Sequence, residues 1–176
     1  RSQATWYMYE PESIRPGSHL ANLRETPKFI AEVHCWHPEV GWYRAGTCFN
    51  LEGTIYTAAH VLDNAHNVKL VRDGAEYECR PQDFTIQDMD VAFMRPTMQM
   101  TQRLVMTSAR SASINNDNMV QVCDGKRYSI GVLVASKAAG YLEYAGSTTP
   151  GFSGSPYYMG NSVWGMHQGG GTVNLG

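Results

Sequence analysis

Apolar residues in this chain fall in short runs, and helical periodicity is scarce. The runs lie at 29–33, 46–49, 54–58, 68–71, 91–94, 120–122, 130–134, 141–144 and 163–166. Turn-forming pairs stand between them: Glu52-Gly53, Asp73-Gly74, Asp124-Gly125 and Gly160-Asn161. Short strands punctuated in this way predict an all-β protein, a sandwich or a barrel. The 17 glycines fit, because tight turns and barrel corners need positive φ angles.

Two stretches share a plan. Residues 45–62 read strand, Glu-Gly turn, strand, then an Ala-Ala-His turn. Residues 151–167 read loop, strand, Gly-Asn turn and strand, again ending on a histidine. The repetition points to two similar halves, though hairpins recur in any β protein. Pro96 and a polar stretch over 95–102 interrupt the pattern and predict the division. The expected organisation is an arm or linker over 1–28, a first half over 29–97 and a second over 98–176. The arm carries Pro11, Pro16 and Pro27 and shows no period.

Composition narrows the function only a little. A chain of 176 residues suits one compact unit or two small barrels sharing an interface. A hydrophobic content of 43% excludes a disordered segment. The net charge of -2 and the scattered Lys and Arg give no reason to expect a nucleic-acid partner. Cys35, Cys48, Cys79 and Cys123 form no C-x-x-C pair, and a domain of this size needs no disulfides, so a reducing compartment fits. His34, Cys35 and His37 are the one local cluster of potential ligands. They read as a buried thiol beside two partly exposed imidazoles, and neither metal nor cofactor is expected. The polar, aromatic N-terminus has no apolar core before a cleavage site, and no apolar run nears membrane-spanning length. The expectation is a soluble domain cut from a longer chain.

The chemistry enters with three residues. Nucleophilic acyl transfer needs an activated nucleophile, a base in reach, a group that fixes the base's tautomer, and N–H donors for the oxyanion. Ser153 lies in Thr-Thr-Pro-Gly-Phe-Ser-Gly-Ser-Pro, residues 148–156. A glycine two positions before it lets the N–H groups of Gly151 and Ser153 point into one small space, and a glycine after it keeps bulk away. His60 ends Ile-Tyr-Thr-Ala-Ala-His, where small neighbours let an imidazole sit at a strand end. Asp90 opens Asp-Val-Ala-Phe-Met; a carboxylate directly ahead of a buried strand is costly without a specific partner. Asp83 and Asp88 are its rivals, without the apolar run that follows Asp90. Each motif alone is weak, but the order His, Asp, Ser is that of chymotrypsin and not that of subtilisins or α/β-hydrolases.

Together these stretches resemble the serine proteases of sobemoviruses and poleroviruses. The resemblance rests on Gly46-Thr47-Cys48-Phe49, Thr57-Ala58-Ala59-His60, Asp90-Val91-Ala92-Phe93, 149–156 and Gly165-Met166-His167, and covers roughly residues 29–176. Phe152, Ser155 and Val61 depart from the pattern of secreted trypsins. The resemblance implies a chymotrypsin-like double β-barrel with the active site between the barrels. It also implies cutting of a viral polyprotein, with release of a genome-linked protein and a polymerase. Such relatives are anchored by membrane segments upstream, which implies a membrane-associated precursor in the host cytoplasm. In viral proteases that cut after Glu or Gln, a histidine and a threonine at the offsets of His167 and Thr148 line the primary pocket. Both can hydrogen-bond a side-chain carbonyl, and a protonated His167 would also pair with a carboxylate. Asn174 is a weaker third contact, and 168–171 an edge for the extended substrate. The rival reading is a catalytically weak peptide- or RNA-binding domain on the same fold.

Overall fold

The computed structural model describes residues 14, 17–22, 25–114, 118–137, 139–169 and 172–173. Its strands, in chain order, are β1 (Ala21–Asn22), β2 (Ile30–His37), β3 (Gly41–Leu51), β4 (Thr54–Ala58), β5 (Asn67–Arg72), β6 (Ala75–Cys79), β7 (Thr85–Gln87) and β8 (Val91–Met94). A short helix, α1 (Met98–Leu104), follows. Then come β9 (Arg110–Ser111), β10 (Asn118–Cys123), β11 (Arg127–Ala135), β12 (Tyr141–Tyr144), β13 (Pro156–Met159), β14 (Ser162–His167) and β15 (Thr172–Val173).

Two sheets result. The first is ordered β6-β5-β2-β3-β4-β8-β7, every neighbour antiparallel. In the second, pairing runs from β11 through β10, β13, β14, β15 and β12 and returns to β11, a closed path. The turn signals do what their residues allow. Glu52-Gly53 and Asp73-Gly74 both hold two successive positive φ angles (51° and 88°, 49° and 81°), the mirror-image turn that matches strand twist in a tight hairpin.

Alternation sets the faces. In β5, Val68 and Leu70 are fully buried while their neighbours are partly exposed. These side chains belong to a core that runs from Phe29 and Val33 in the first sheet to Tyr158, Val163 and Met166 in the second. A smaller cluster of Val120, Val122, Leu133, Leu142, Phe152 and Tyr157 fills the second sheet. Leu70→Ala is expected to lower unfolding free energy by about 2–5 kcal/mol, since the site is closed on all sides. Thermal or denaturant unfolding of the variant measures this.

Helix α1 went unread in the sequence. Only Met100 and Leu104 of its residues are buried, and it starts because Thr97 Oγ1 accepts from the Met100 N–H at 3.1 Å. Among the described residues of 14–28, β1 pairs with β11 and Ser147 donates two hydrogen bonds to Ser18, at 2.9 and 2.8 Å, while the Thr26 carbonyl accepts from Arg72 Nη2 of the first sheet at 3.4 Å. No helix among the described residues is long and apolar enough to cross a membrane.

Candidate active site

Strand β4 runs directly into a single 3-10 turn, Ala59–Leu62, whose Val61 and Leu62 are buried and fix His60 in place. Gly46 makes room for that turn. A Cβ there would stand 2.8 Å from Val61 Cγ2 and 2.6 Å from the Ser153 carbonyl oxygen, so β3 passes between the two only as glycine.

Asp90 precedes β8 in an unusual backbone. Met89 and Asp90 both have left-handed φ, 66° and 61°, a conformation costing about 1–2 kcal/mol per residue. Three hydrogen bonds to residues of the first half hold it. The His60 N–H donates to Asp90 Oδ1 at 2.8 Å, His60 Nδ1 meets Asp90 Oδ2 at 2.6 Å, and the Ala59 N–H donates to the Asp90 carbonyl at 2.8 Å. An ionised carboxylate only accepts, so Nδ1 carries the proton and Nε2 is the basic nitrogen. The rival aspartates do other work: Asp83 caps a 3-10 turn through the Arg80 N–H at 2.9 Å, and Asp88 lies exposed beside Ile86 and Gln87.

Ser153 follows another 3-10 turn, Pro150–Phe152. Phe152 is fully buried in the smaller cluster and pins the turn from below. The Thr47 N–H donates to the Ser153 carbonyl at 2.8 Å, and Thr47 Oγ1 donates to the Gly151 carbonyl at 3.0 Å. Gly154 has φ 86°, and a Cβ would lie 2.1 Å from the Thr47 carbonyl oxygen. Glycine is therefore obligatory after the serine, for a backbone contact that the sequence motif alone does not reveal. Beside the turn, buried Asp124 accepts from the Lys126 and Arg127 N–H groups at 2.9 and 2.7 Å, while Arg127 Nη2 reaches Thr149 Oγ1 at 3.4 Å. The Ser153 N–H points back to the Pro150 carbonyl at 3.3 Å. In this structure that donor is thus engaged within the turn.

His167 ends β14 and is 2% exposed. Its Nδ1 lies 2.5 Å from Tyr157 Oη, on neighbouring β13. Thr148 is also buried, in the segment leading to the Ser153 turn. Asn174 lies outside the described residues, as do 170 and 171 of the expected substrate edge. Gln168, next to His167, is buried and sends its Nε2 to the main-chain carbonyls of Met89 and, at 3.3 Å, Asp90. The sequence reading places Gln168 only in the substrate edge 168–171 and does not single out Tyr157. Neither carried a local signal for these contacts: Tyr157 is one of two adjacent tyrosines in β13, and the partners of Gln168 are distant in sequence.

The thiols offer no rival nucleophile. Burial pushes Cys35 and Cys79 up to about 12 and Cys123 up to about 11, and raises Cys48 further. Cys35 is fully buried, with its Sγ 3.5 Å from the Val61 carbonyl, and His34 is bonded to Glu32 at 3.1 Å. No cluster of three or more His, Cys, Asp or Glu among the described residues is placed to hold a metal ion.

Two β-sheets, and a His–Asp pair on one with a Gly-flanked serine turn on the other, describe a serine peptidase of chymotrypsin-like fold. The peptidase S39 family model matches residues 30–174, and the chain belongs to that family. No curated protein matches the chain. Among solved structures, the serine protease domain of the Sesbania mosaic virus polyprotein is similar, at 19% identity and TM-score 0.70, over 89% of this chain and 94% of that one. A structure concerned with the coupled folding and binding of the intrinsically disordered Sesbania mosaic virus VPg protein aligns at 18% identity and TM-score 0.72, over 89% and 91% of the two chains. The serine protease of a human pathogenic astrovirus aligns at 24% identity and TM-score 0.60, over 90% and 96%. At these identities the structural matches establish the shared fold.

Proposed function

We propose that this chain is the endopeptidase of a viral polyprotein, with Ser153 as nucleophile, His60 as general base and Asp90 as the group that orients it. The observation that carries the reading is the two-point grip of Asp90 on His60, at the backbone N–H and at Nδ1, which fixes the tautomer and makes Nε2 the nitrogen that can accept a proton. His60 takes the Ser153 proton during attack and returns it to the leaving amine, while Asp90 stabilises the imidazolium. The N–H groups of Gly151 and Ser153 receive the oxyanion. For that, the Pro150–Gly151 peptide must rotate and release the Ser153 N–H from the Pro150 carbonyl. A fluorophosphonate probe tests the assignment: the adduct should map to Ser153 and vanish in His60→Ala. Labelling elsewhere, or labelling independent of His60, would remove the triad.

The same proposal extends to specificity, cleavage after Glu and next after Gln. Tyr157 Oη engages His167 Nδ1, and the ring's other nitrogen suits the side-chain oxygen common to both residues. Thr148 supplies a second polar group, and Asn174 is the weaker third. A proton on both nitrogens would add charge pairing and favour Glu. His167→Ala is expected to lower kcat/KM on Glu peptides by about 10- to 100-fold, the worth of one charge-assisted hydrogen bond. Equal hydrolysis by variant and parent across a library varied before the scissile bond would discard this pocket. The proposed setting is the host cytoplasm, within a membrane-associated precursor, with a genome-linked protein among the products. The fold shared with the structure from the VPg study supports that last element.

A further inference from the structure

We propose that Gln168 is a positioning residue for the Asp90–His60 pair, acting from the second sheet on the backbone that carries Asp90. The inference rests on the catalytic reading of that pair. Met89 and Asp90 are consecutive residues with left-handed φ, and such a backbone persists only where its surroundings over-determine it. The Asp90 carbonyl already accepts from the Ala59 N–H, within the first sheet. Gln168 adds a grip from the opposite side, its Nε2 donating to the carbonyls of Met89 and Asp90. The side chain is 6% exposed, so water replaces this donor poorly. The same half also packs on the Met89 side chain. Gly140, in the β11–β12 turn, approaches so closely that a Cβ there would stand 2.6 Å from Met89 Cε.

The consequence is a link between the strand end that carries His167 and the corner that aims the carboxylate. Among the described residues Gln168 hydrogen-bonds to neither the His60 imidazole nor Ser153; it sets the main chain from which the Asp90 carboxylate reaches His60.

Gln168→Met keeps the length and shape of the side chain and deletes only the donor. Its expected effect is a kcat about tenfold lower, with KM within twofold and phosphonylation of Ser153 slowed in parallel, the scale of one buried hydrogen bond. Gln168→Glu, which turns a carboxylate on the two carbonyls, should lose more. The direct readout is the downfield proton resonance of His60 Nδ1, assigned by its loss in His60→Ala. It should broaden or disappear in Gln168→Met while thermal unfolding stays within a few degrees of the parent. An unchanged resonance and kcat overturns the proposal, as does a rise in KM alone, which would place Gln168 at the substrate edge instead. The two readings fail separately. A parent that shows the resonance but never cleaves or labels would sink the peptidase assignment and leave the positioning role, whereas an active parent matched by Gln168→Met would sink the positioning role only.

Discussion

Ser153→Ala is expected to fold as the parent does and to lose about 10⁶-fold in kcat, the scale seen when a triad nucleophile is removed. The fold should survive because, among the described residues, the hydroxyl makes no structural hydrogen bond. Ser153 has φ −55° and ψ 127°, open to alanine, and its place is fixed through main-chain atoms, the carbonyl by the Thr47 N–H and the N–H by Pro150. Ser155 supplies the contrast inside the same motif. Its Oγ accepts from the buried Cys123 N–H at 3.2 Å and lies 3.4 Å from the Pro156 carbonyl, so it holds β13 to β10. Ser155→Ala should therefore cost about 1–3 kcal/mol of stability through an unsatisfied buried N–H, and keep turnover. Peptide hydrolysis and thermal unfolding of both variants separate the two serines. Hydrolysis retained by Ser153→Ala, or abolished in a folded Ser155→Ala, reverses the assignment.

That contrast shows where sequence reading stops. G-x-S-G-S contains two serines, and the order His, Asp, Ser with the local contexts selects the first; why the second is there emerges only once Cys123 is known to lie beside it. The strands behaved similarly. β5 is legible because Val68 and Leu70 alternate with polar residues against a core. β7 is an edge strand with all three residues exposed, so it leaves no apolar trace. Asp90 could be singled out because its cost ahead of a buried strand is local. Gln168 could not, since its partners are 79 and 78 residues away and are backbone atoms in an atypical conformation. The state of the Pro150–Ser153 turn was equally hidden: the residues proposed to build an open hole are the same ones that here close it.

Gly151→Ala tests that turn, and it is expected to lower kcat by about 10²- to 10³-fold with the fold and KM little changed, equivalent to losing an oxyanion donor. In the closed turn alanine fits. Gly151 is outside the left-handed region, and a Cβ would meet Asp124 Cβ at 3.6 Å and Oδ2 at 3.7 Å, ordinary contact distances. Opening is another matter. Thr47 Oγ1 holds the Gly151 carbonyl, Phe152 is buried, and the Thr47 N–H holds the Ser153 carbonyl, so the Pro150–Gly151 peptide is the unit left to turn. Turning it over shifts φ of Gly151 by about half a turn, from about −60° in a 3-10 turn to large positive values that glycine reaches and alanine does not. The variant should bind substrate and leave the Ser153 position unchanged, yet present the Pro150 carbonyl where the proposed oxyanion forms. Parent-like kcat in Gly151→Ala would mean that the oxyanion is met by other donors and that this peptide need not move. A large drop in kcat at constant KM would instead make the rotation a step of the catalytic cycle, with glycine at 151 required for the open state alone.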